Sequence, residues 1–338
     1  MILAGLIPAL KMRAWASLTA SRYHRARIIS GLHYFEGDVA SKVLREKLNE
    51  LSRTVDSSMS LAPGVPLPRM LENRTFLAIG LPGGGKSTFI NNLALQAFQR
   101  GDKIIMHDTD GDVVAHWPGR FILLNPLNPH SYAWDIAADI VGEIAAREVM
   151  AHFVPVPTKG EGHWSLGGQE IGVGVLKTLG FMYGESWGFA EWRDVNGLEP
   201  VPFREFATRH HRPAAAFLAL DDEEFTKTAG SYFTPYTAGM NTIVRPMAEN
   251  WGDLDKPYRV AMRKWLADAD DETKIKTLIL QRSPDNPAIS EAWLPLVLGR
   301  IAGFCASDEL KSNDTRRIFA ILDEFPQIGR VDTFAQMA

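Results

Sequence analysis

Residues 80–87, Gly-Leu-Pro-Gly-Gly-Gly-Lys-Ser, constrain the fold of this chain more than any other stretch. They fit G-x-x-x-x-G-K-[ST] and fall between a short apolar run at 75–80 (TFLAIG) and a helical pattern at 86–100. The apolar run reads as a buried strand. In the helix, Phe89, Ile90, Leu93, Ala97 and Phe98 form one apolar stripe, and Gly101 is placed to end it. Strand, Gly-rich turn and amphipathic helix in that order make a phosphate-binding loop. Gly80, Gly83, Gly84 and Gly85 let the backbone curl until several N–H groups point at one phosphate, and the helix start adds its positive end. Lys86 brings a point charge to the β- and γ-phosphates, the Ser87 hydroxyl is placed to ligate Mg²⁺, and Thr88 completes the cradle. The cofactors implied are ATP and Mg²⁺.

The rest of the pattern is α/β. Residues 103–107 (KIIMH) and 121–124 (FILL) read as two further buried strands, which with the first helix begin a parallel, doubly wound sheet. From about Trp134 to Asp255 strand character nearly vanishes and Ala- and Trp-rich helical segments take over, as expected of an all-α domain inserted into the sheet. Strands return at 277–280 (TLIL) and 317–322 (RIFAIL), with a helix at about 289–306 between them. Upstream, 37–56 has helical spacing, with Val43, Leu44, Leu48 and Leu51 near one face, and Pro63, Pro66 and Pro68 mark an extended connector. The domain expectation is a terminal segment over 1–27, sheet domain over 28–134 and 256–338, and helical insert over 135–255.

The second chemical signal is residues 318–324 (IFAILDE), an apolar strand ending in two carboxylates. Asp323 is placed to hold the Mg²⁺ shell and Glu324 to orient and polarise an attacking water, the arrangement called Walker B. Paired with the loop at Gly80, a Glu after the Asp favours ATP-hydrolysing motors over GTP switches and small-molecule kinases.

Other candidates carry less. Asp108, Asp110 and Asp112 resemble a calcium loop, but the glycine falls too early and the twelfth position is Gly119; Asp108 is at best indirectly linked to the site. His210 and His211 have no metal-ligand spacing and read as exposed loop histidines. Trp134, Trp164, Trp187, Trp192, Trp251 and Trp265 read as core anchors rather than base-stacking platforms, and Arg316–Arg317 as a solvated strand entry. Cys305, the only cysteine, excludes an intrachain disulfide and reads as a small buried apolar residue. A net charge of −4 argues against a broad basic surface but permits a positive channel. Residues 1–10 are apolar but too few to span a bilayer. Lys11, Arg13, Arg22, Arg25 and Arg27, with no acid before Glu36, look like the cytoplasmic flank of a membrane helix.

On these residues the chain resembles the coupling proteins of type IV secretion and conjugation systems, the TraD/TrwB/TraG-like family. The resemblance rests on residues 28–31, Leu67-Pro68 and Glu72 before the loop, Gly101-Asp102-Lys103 with 104–108, and Leu124-Asn125-Pro126 with Ala133-Trp134-Asp135. It continues in His163-Trp164, 263–266 (RKWL), and Leu322-Asp323-Glu324-Phe325-Pro326 with Gly329-Arg330. It implies a RecA-like domain with an inserted all-α domain, assembled as a hexamer around a DNA channel. It further implies ATP-driven movement of single-stranded DNA, delivered with its relaxase to a type IV secretion channel at the cytoplasmic face of the inner membrane. The family pattern carries two membrane helices ahead of the basic stretch, and later strands with a polar sensor and a trans-acting arginine after Walker B. The expectation is therefore of a chain cut short at Ala338. Two other readings stay open: a nucleotide-gated receptor or scaffold for DNA and relaxase with little turnover, and a different RecA-like DNA pump.

Overall fold

The computed structural model describes residues 37–51, 59–79, 81, 83–160, 162–268, 274–308, 310 and 316–328. The apolar stretch 1–10, the basic residues that follow it, residues 28–31, Gly80 and Gly329–Arg330 lie outside the described residues. The chain divides into two compact units after Glu72.

In the first unit, helix α1 (Gly37–Leu51) packs on a hairpin of β1 (Met59–Ala62) and β2 (Val65–Leu67). Of the expected apolar face of α1, Leu48 is buried whereas Leu44 is exposed. Residues 52–56, expected to continue the helix, lie outside the described residues.

The second unit is built on a parallel sheet of β3 (Lys103–Asp108), β4 (Ile122–Leu124), β9 (Thr277–Gln281) and β10 (Ile318–Leu322), in the order β10-β3-β9-β4. Residue pairs Ile105–Leu278, Met106–Ile279 and Leu123–Ile279 set the register, and both inner strands are buried nearly end to end. That double-sided burial is what continuous Ile/Leu/Met runs select. Helix α2 (Lys86–Arg100) leads into β3 and packs on β3 and β10 through Ala94 and Ala97. It ends where expected: Gly101 is left-handed at φ 84°, and its N–H donates back to the carbonyls of Ala97 and Phe98.

One expectation fails. Residues 75–79 form no strand, and Phe76, Leu77 and Ile79 are exposed, the last two by 82% and 85%. An apolar run becomes a buried strand only where a neighbour completes its hydrogen-bond ladder. Among the described residues this run pairs with none, and β10, the outer strand beside β3, keeps one edge open.

Between β4 and β9 lies the helical part. A two-residue parallel pair, β5 (Ala133–Trp134) with β8 (Arg259–Val260), brings both ends of the segment 135–255 side by side. Helices α4 (Ile136–Asp139), α5 (Gly142–Phe153), α6 (His163–Tyr183), α7 (Phe189–Asn196), α8 (Pro200–Arg209), α9 (Lys227–Gly239) and α10 (Arg245–Trp251) follow, with a small hairpin of β6 (Leu220–Asp221) and β7 (Glu224–Phe225) among them. Helix α6 packs on α5, α8 and α9 at very short range. A Cβ at Gly174 would lie 2.2 Å from the Ala207 carbonyl, and one at Gly168 would lie 3.1 Å from backbone atoms of Tyr232 and Tyr236. The helix backbone itself is therefore the contact surface. Trp134, Trp187, Trp192, Trp251 and Trp265 are fully buried, as anchors should be, and Trp164 packs at a tilt against His163 and Tyr232.

Two buried polar groups tie this part together. Asp139, 1% exposed, accepts from Trp134 Nε1 (2.7 Å) and from the amides of Met262 (2.8 Å) and Arg263 (3.0 Å), so it caps helix α11 (Met262–Ala267) from a distance in sequence. Burial pushes its carboxyl up to about 6, although those three bonds pull the other way. His211 corrects the sequence reading. Far from being an exposed loop histidine, it is 3% exposed, donates through Nε2 to Glu170 (2.7 Å), and accepts through Nδ1 from Lys177 (3.3 Å). Lys177 also reaches Glu143 (2.6 Å), and Arg147 bridges Glu143 and Glu170, closing the ring of charges. Sequence spacing misses it because its members come from α5, α6 and the turn after α8. His210 stacks on the exposed ring of Phe181. Arg316 and Arg317 are also less solvated than expected, since Asp268 and Asp102 lie 3.7 and 3.8 Å away.

Helix α12 (Pro287–Ala306) is long and apolar enough to cross a membrane, but two thirds of it (67%) is buried inside the fold, Trp293, Leu294 and Val297 completely. Its apolarity is that of a core helix. Cys305 is half-buried against this core, and burial raises its thiol above the ordinary value.

Candidate phosphate and magnesium site

The start of α2 and the end of β10 converge. Gly83 and Gly85 hold left-handed backbone at φ 73° and 83°, where a side chain would be strained but nothing crowds the missing Cβ. Gly84 is limited by space instead: its N–H donates to the Leu81 carbonyl (3.0 Å), and a Cβ would lie 2.9 Å from that oxygen. The loop thus turns tightly and delivers the chain to Lys86 without a capping side chain at Gly85. A helix start leaves its first amides without intrahelical acceptors, so those around Ser87 and Thr88 can serve an anion. Lys86 is half-buried, and Ser87 and Thr88 are exposed.

Across the sheet, Ser87 Oγ donates to Asp323 Oδ2 at 2.9 Å. The other Asp323 oxygen, Oδ1, accepts from the Glu324 amide, also at 2.9 Å. Glu324 is exposed and left-handed at φ 48°, and its carbonyl then starts a single 3₁₀ turn over Phe325–Gln327. A non-glycine residue in that region carries a backbone cost of about 1 kcal/mol, which the surroundings must hold in place. Adjacent hydroxyl and carboxylate oxygens are the donor chemistry of Mg²⁺, which takes few protein ligands and fills its octahedron with phosphate and water. No cluster of three or more His, Cys, Asp or Glu suited to a metal ion occurs among the described residues.

One group that touches the acidic pair, and one polar cluster at the neighbouring strand ends, escaped the sequence reading. His107, 1% exposed on β3, has Nδ1 2.8 Å from the Asp323 carbonyl oxygen, and burial holds its imidazole below the ordinary value. Gln281, at the end of β9, accepts from Asn125 Nδ2 (2.8 Å), while Asn125 accepts from Ser283 Oγ (2.6 Å). The signal for both was a polar residue at or next to the last position of a buried strand. Asp108 is committed elsewhere: its carboxylate accepts from the amides of Gly111, Val113 and Val114 at the start of helix α3 (Asp112–His116). Asp110 is exposed and within hydrogen-bonding distance of Thr109, and Asp112 lies in α3 itself, so no calcium loop forms.

A parallel sheet with a glycine loop and helix start facing an acidic strand end defines the RecA-like P-loop class of α/β fold. A sequence profile of the type IV secretion-system coupling protein DNA-binding domain matches residues 59–338, and the chain belongs to that family. Coupling protein TraD of Escherichia coli (strain K12) is 24% identical over 279 residues, which are 81% of this chain and 37% of that protein. The chain thus spans little more than a third of the curated relative it matches. The plasmid coupling protein TrwB in complex with ADP and Mg²⁺ superposes with a TM-score of 0.63 at 21% identity, over 86% of this chain and 66% of that one. TrwB in complex with a non-hydrolysable ATP analogue gives 0.64 at 20% identity, over 92% and 69%.

Proposed function

We propose that this chain is the nucleotide-binding core of an ATP-driven motor that moves single-stranded DNA, with its bound relaxase, toward a type IV secretion channel during conjugation. The observation that carries the reading is the 2.9 Å contact between Ser87 and Asp323, a hydroxyl at a phosphate-loop helix start meeting a carboxylate at a strand end. Membership of the coupling-protein family supports the DNA and secretion partners, and the nucleotide complexes of TrwB support the cofactor.

In this mechanism Gly83, Gly84, Gly85 and Thr88 present backbone N–H groups to the phosphates, and Lys86 neutralises the terminal ones. Ser87 and Asp323 would hold Mg²⁺, which when bound would neutralise charge on the transferring phosphoryl group. Glu324, carried outward by its left-handed turn, accepts a hydrogen bond from the attacking water and aligns it. Residues 135–255 act as a helical domain inserted into the sheet domain, and six copies around a channel at the inner membrane form the working assembly.

The test is steady-state ATP turnover with and without single-stranded DNA, against Lys86→Ala. Turnover that rises with DNA and disappears in the variant is the expected result. Nucleotide binding with no turnover points to the receptor reading, and a folded chain that binds no nucleotide refutes the site.

A further inference from the structure

We infer that His107 is a positioning residue for nucleotide hydrolysis, holding the Asp323–Glu324 peptide so that Asp323 meets Ser87 and Glu324 keeps its outward turn. The inference rests on the hydrolytic reading given above. His107 stands directly opposite Leu322 in the β3–β10 register, one residue before the acidic pair. A carbonyl oxygen can only accept, so the 2.8 Å contact with Asp323 fixes the proton on Nδ1. Asp323 is then gripped at three points: its carbonyl by His107, Oδ1 by the Glu324 amide and Oδ2 by Ser87.

The rest of the ring argues that this bond is the reason for a histidine here. Nε2 is buried without a hydrogen-bond partner among the described residues. An unpaired buried acceptor is destabilising, a cost that a leucine at this position would avoid. Among the described residues strand β10 has only β3 as a sheet neighbour, so no second ladder from them fixes the turn at its end. The imidazole supplies that constraint from the paired side.

Two variants separate the bond from the bulk. His107→Asn places an amide N–H where Nδ1–H stood, and His107→Leu fills the space with no donor. In the leucine variant, affinity for Mn²⁺ in the presence of ADP and kcat for ATP should each fall about tenfold or more, as when a partner orienting a metal ligand is lost. Affinity for ADP without metal should hold, and the asparagine variant should recover most of the loss. In the ligand-free chain, ¹⁵N spectra of labelled histidine should show the Nδ1–H tautomer for the signal that His107→Asn removes. A folded leucine variant with undiminished Mn²⁺ affinity, an asparagine variant as damaged as leucine, or an Nε2–H tautomer would each overturn the inference. A wild-type chain that binds Mn²⁺ and ADP without turnover would refute hydrolysis alone, leaving the metal and tautomer measurements to decide His107.

Discussion

The Ser87 hydroxyl donates to the Asp323 carboxylate across 236 positions of sequence, joining the start of α2 to the end of β10. Removing the hydroxyl should separate metal binding from phosphate binding. Ser87→Ala is expected to weaken ADP binding by about tenfold or more when Mg²⁺ is present, and far less with chelator, since a lost metal-orienting group typically costs 10–100-fold. Calorimetric titration under both conditions checks this, and equal losses in the two would refute a metal role for Ser87.

Gly84 and Gly85 should respond differently to alanine. At Gly84 the added Cβ meets backbone only 2.9 Å away, so the loop must deform and nucleotide affinity should collapse. At Gly85 there is room but φ is 83°, so the cost is backbone strain of about 1–2 kcal/mol. Comparing ADP affinity of the two variants with their melting temperatures tests the ordering.

Asp139→Ala should destabilise the second unit by about 3 kcal/mol, because a cap is lost and a buried indole N–H is left without its acceptor. The sign with pH follows from a carboxyl raised from 3.8 to about 6. Folding favours its protonated form, so its contribution is complete below the ordinary value and shrinks as pH rises through about 6. Denaturant titrations at pH 4 and pH 7 should therefore show a smaller gap between variant and wild type at pH 7.

Glu143 behaves in the opposite sense. Its hydrogen bonds from Lys177 and Arg147 hold the carboxyl down to about 2, from an ordinary 4.5. The stabilisation is present above the ordinary value and is lost as pH falls through about 2. Glu143→Gln should lower the melting temperature at pH 7, only slightly because solvent screens a pair so exposed, and flatten the acid limb below 4.5 so that variant and wild type converge near pH 2.

The loop, its helix and the strands β3, β9 and β10 were legible because each depends on local pattern: glycine spacing, a 3.6-residue stripe, or an unbroken apolar run. Ser87, Asp323 and Glu324 could be picked out as site candidates for the same reason. Residues 75–79 were misjudged because a strand needs a partner, and composition does not say whether one is present. His211 and Asp139 were unreadable in a different way. Their acceptors and donors come from segments far apart in the chain, so nothing in the spacing of His210-His211 distinguishes a solvated pair from a buried bridge.

The glycines of α6 have a mechanical consequence. Ordinary helix pairs meet through side chains that can change rotamer and absorb a displacement. At Gly174 and Gly168 the nearest atoms are backbone, so peptide meets peptide with little such cushion. A load applied to α8 or α9 would pass into α6 almost without compression, and the three helices would move as one stiff strut.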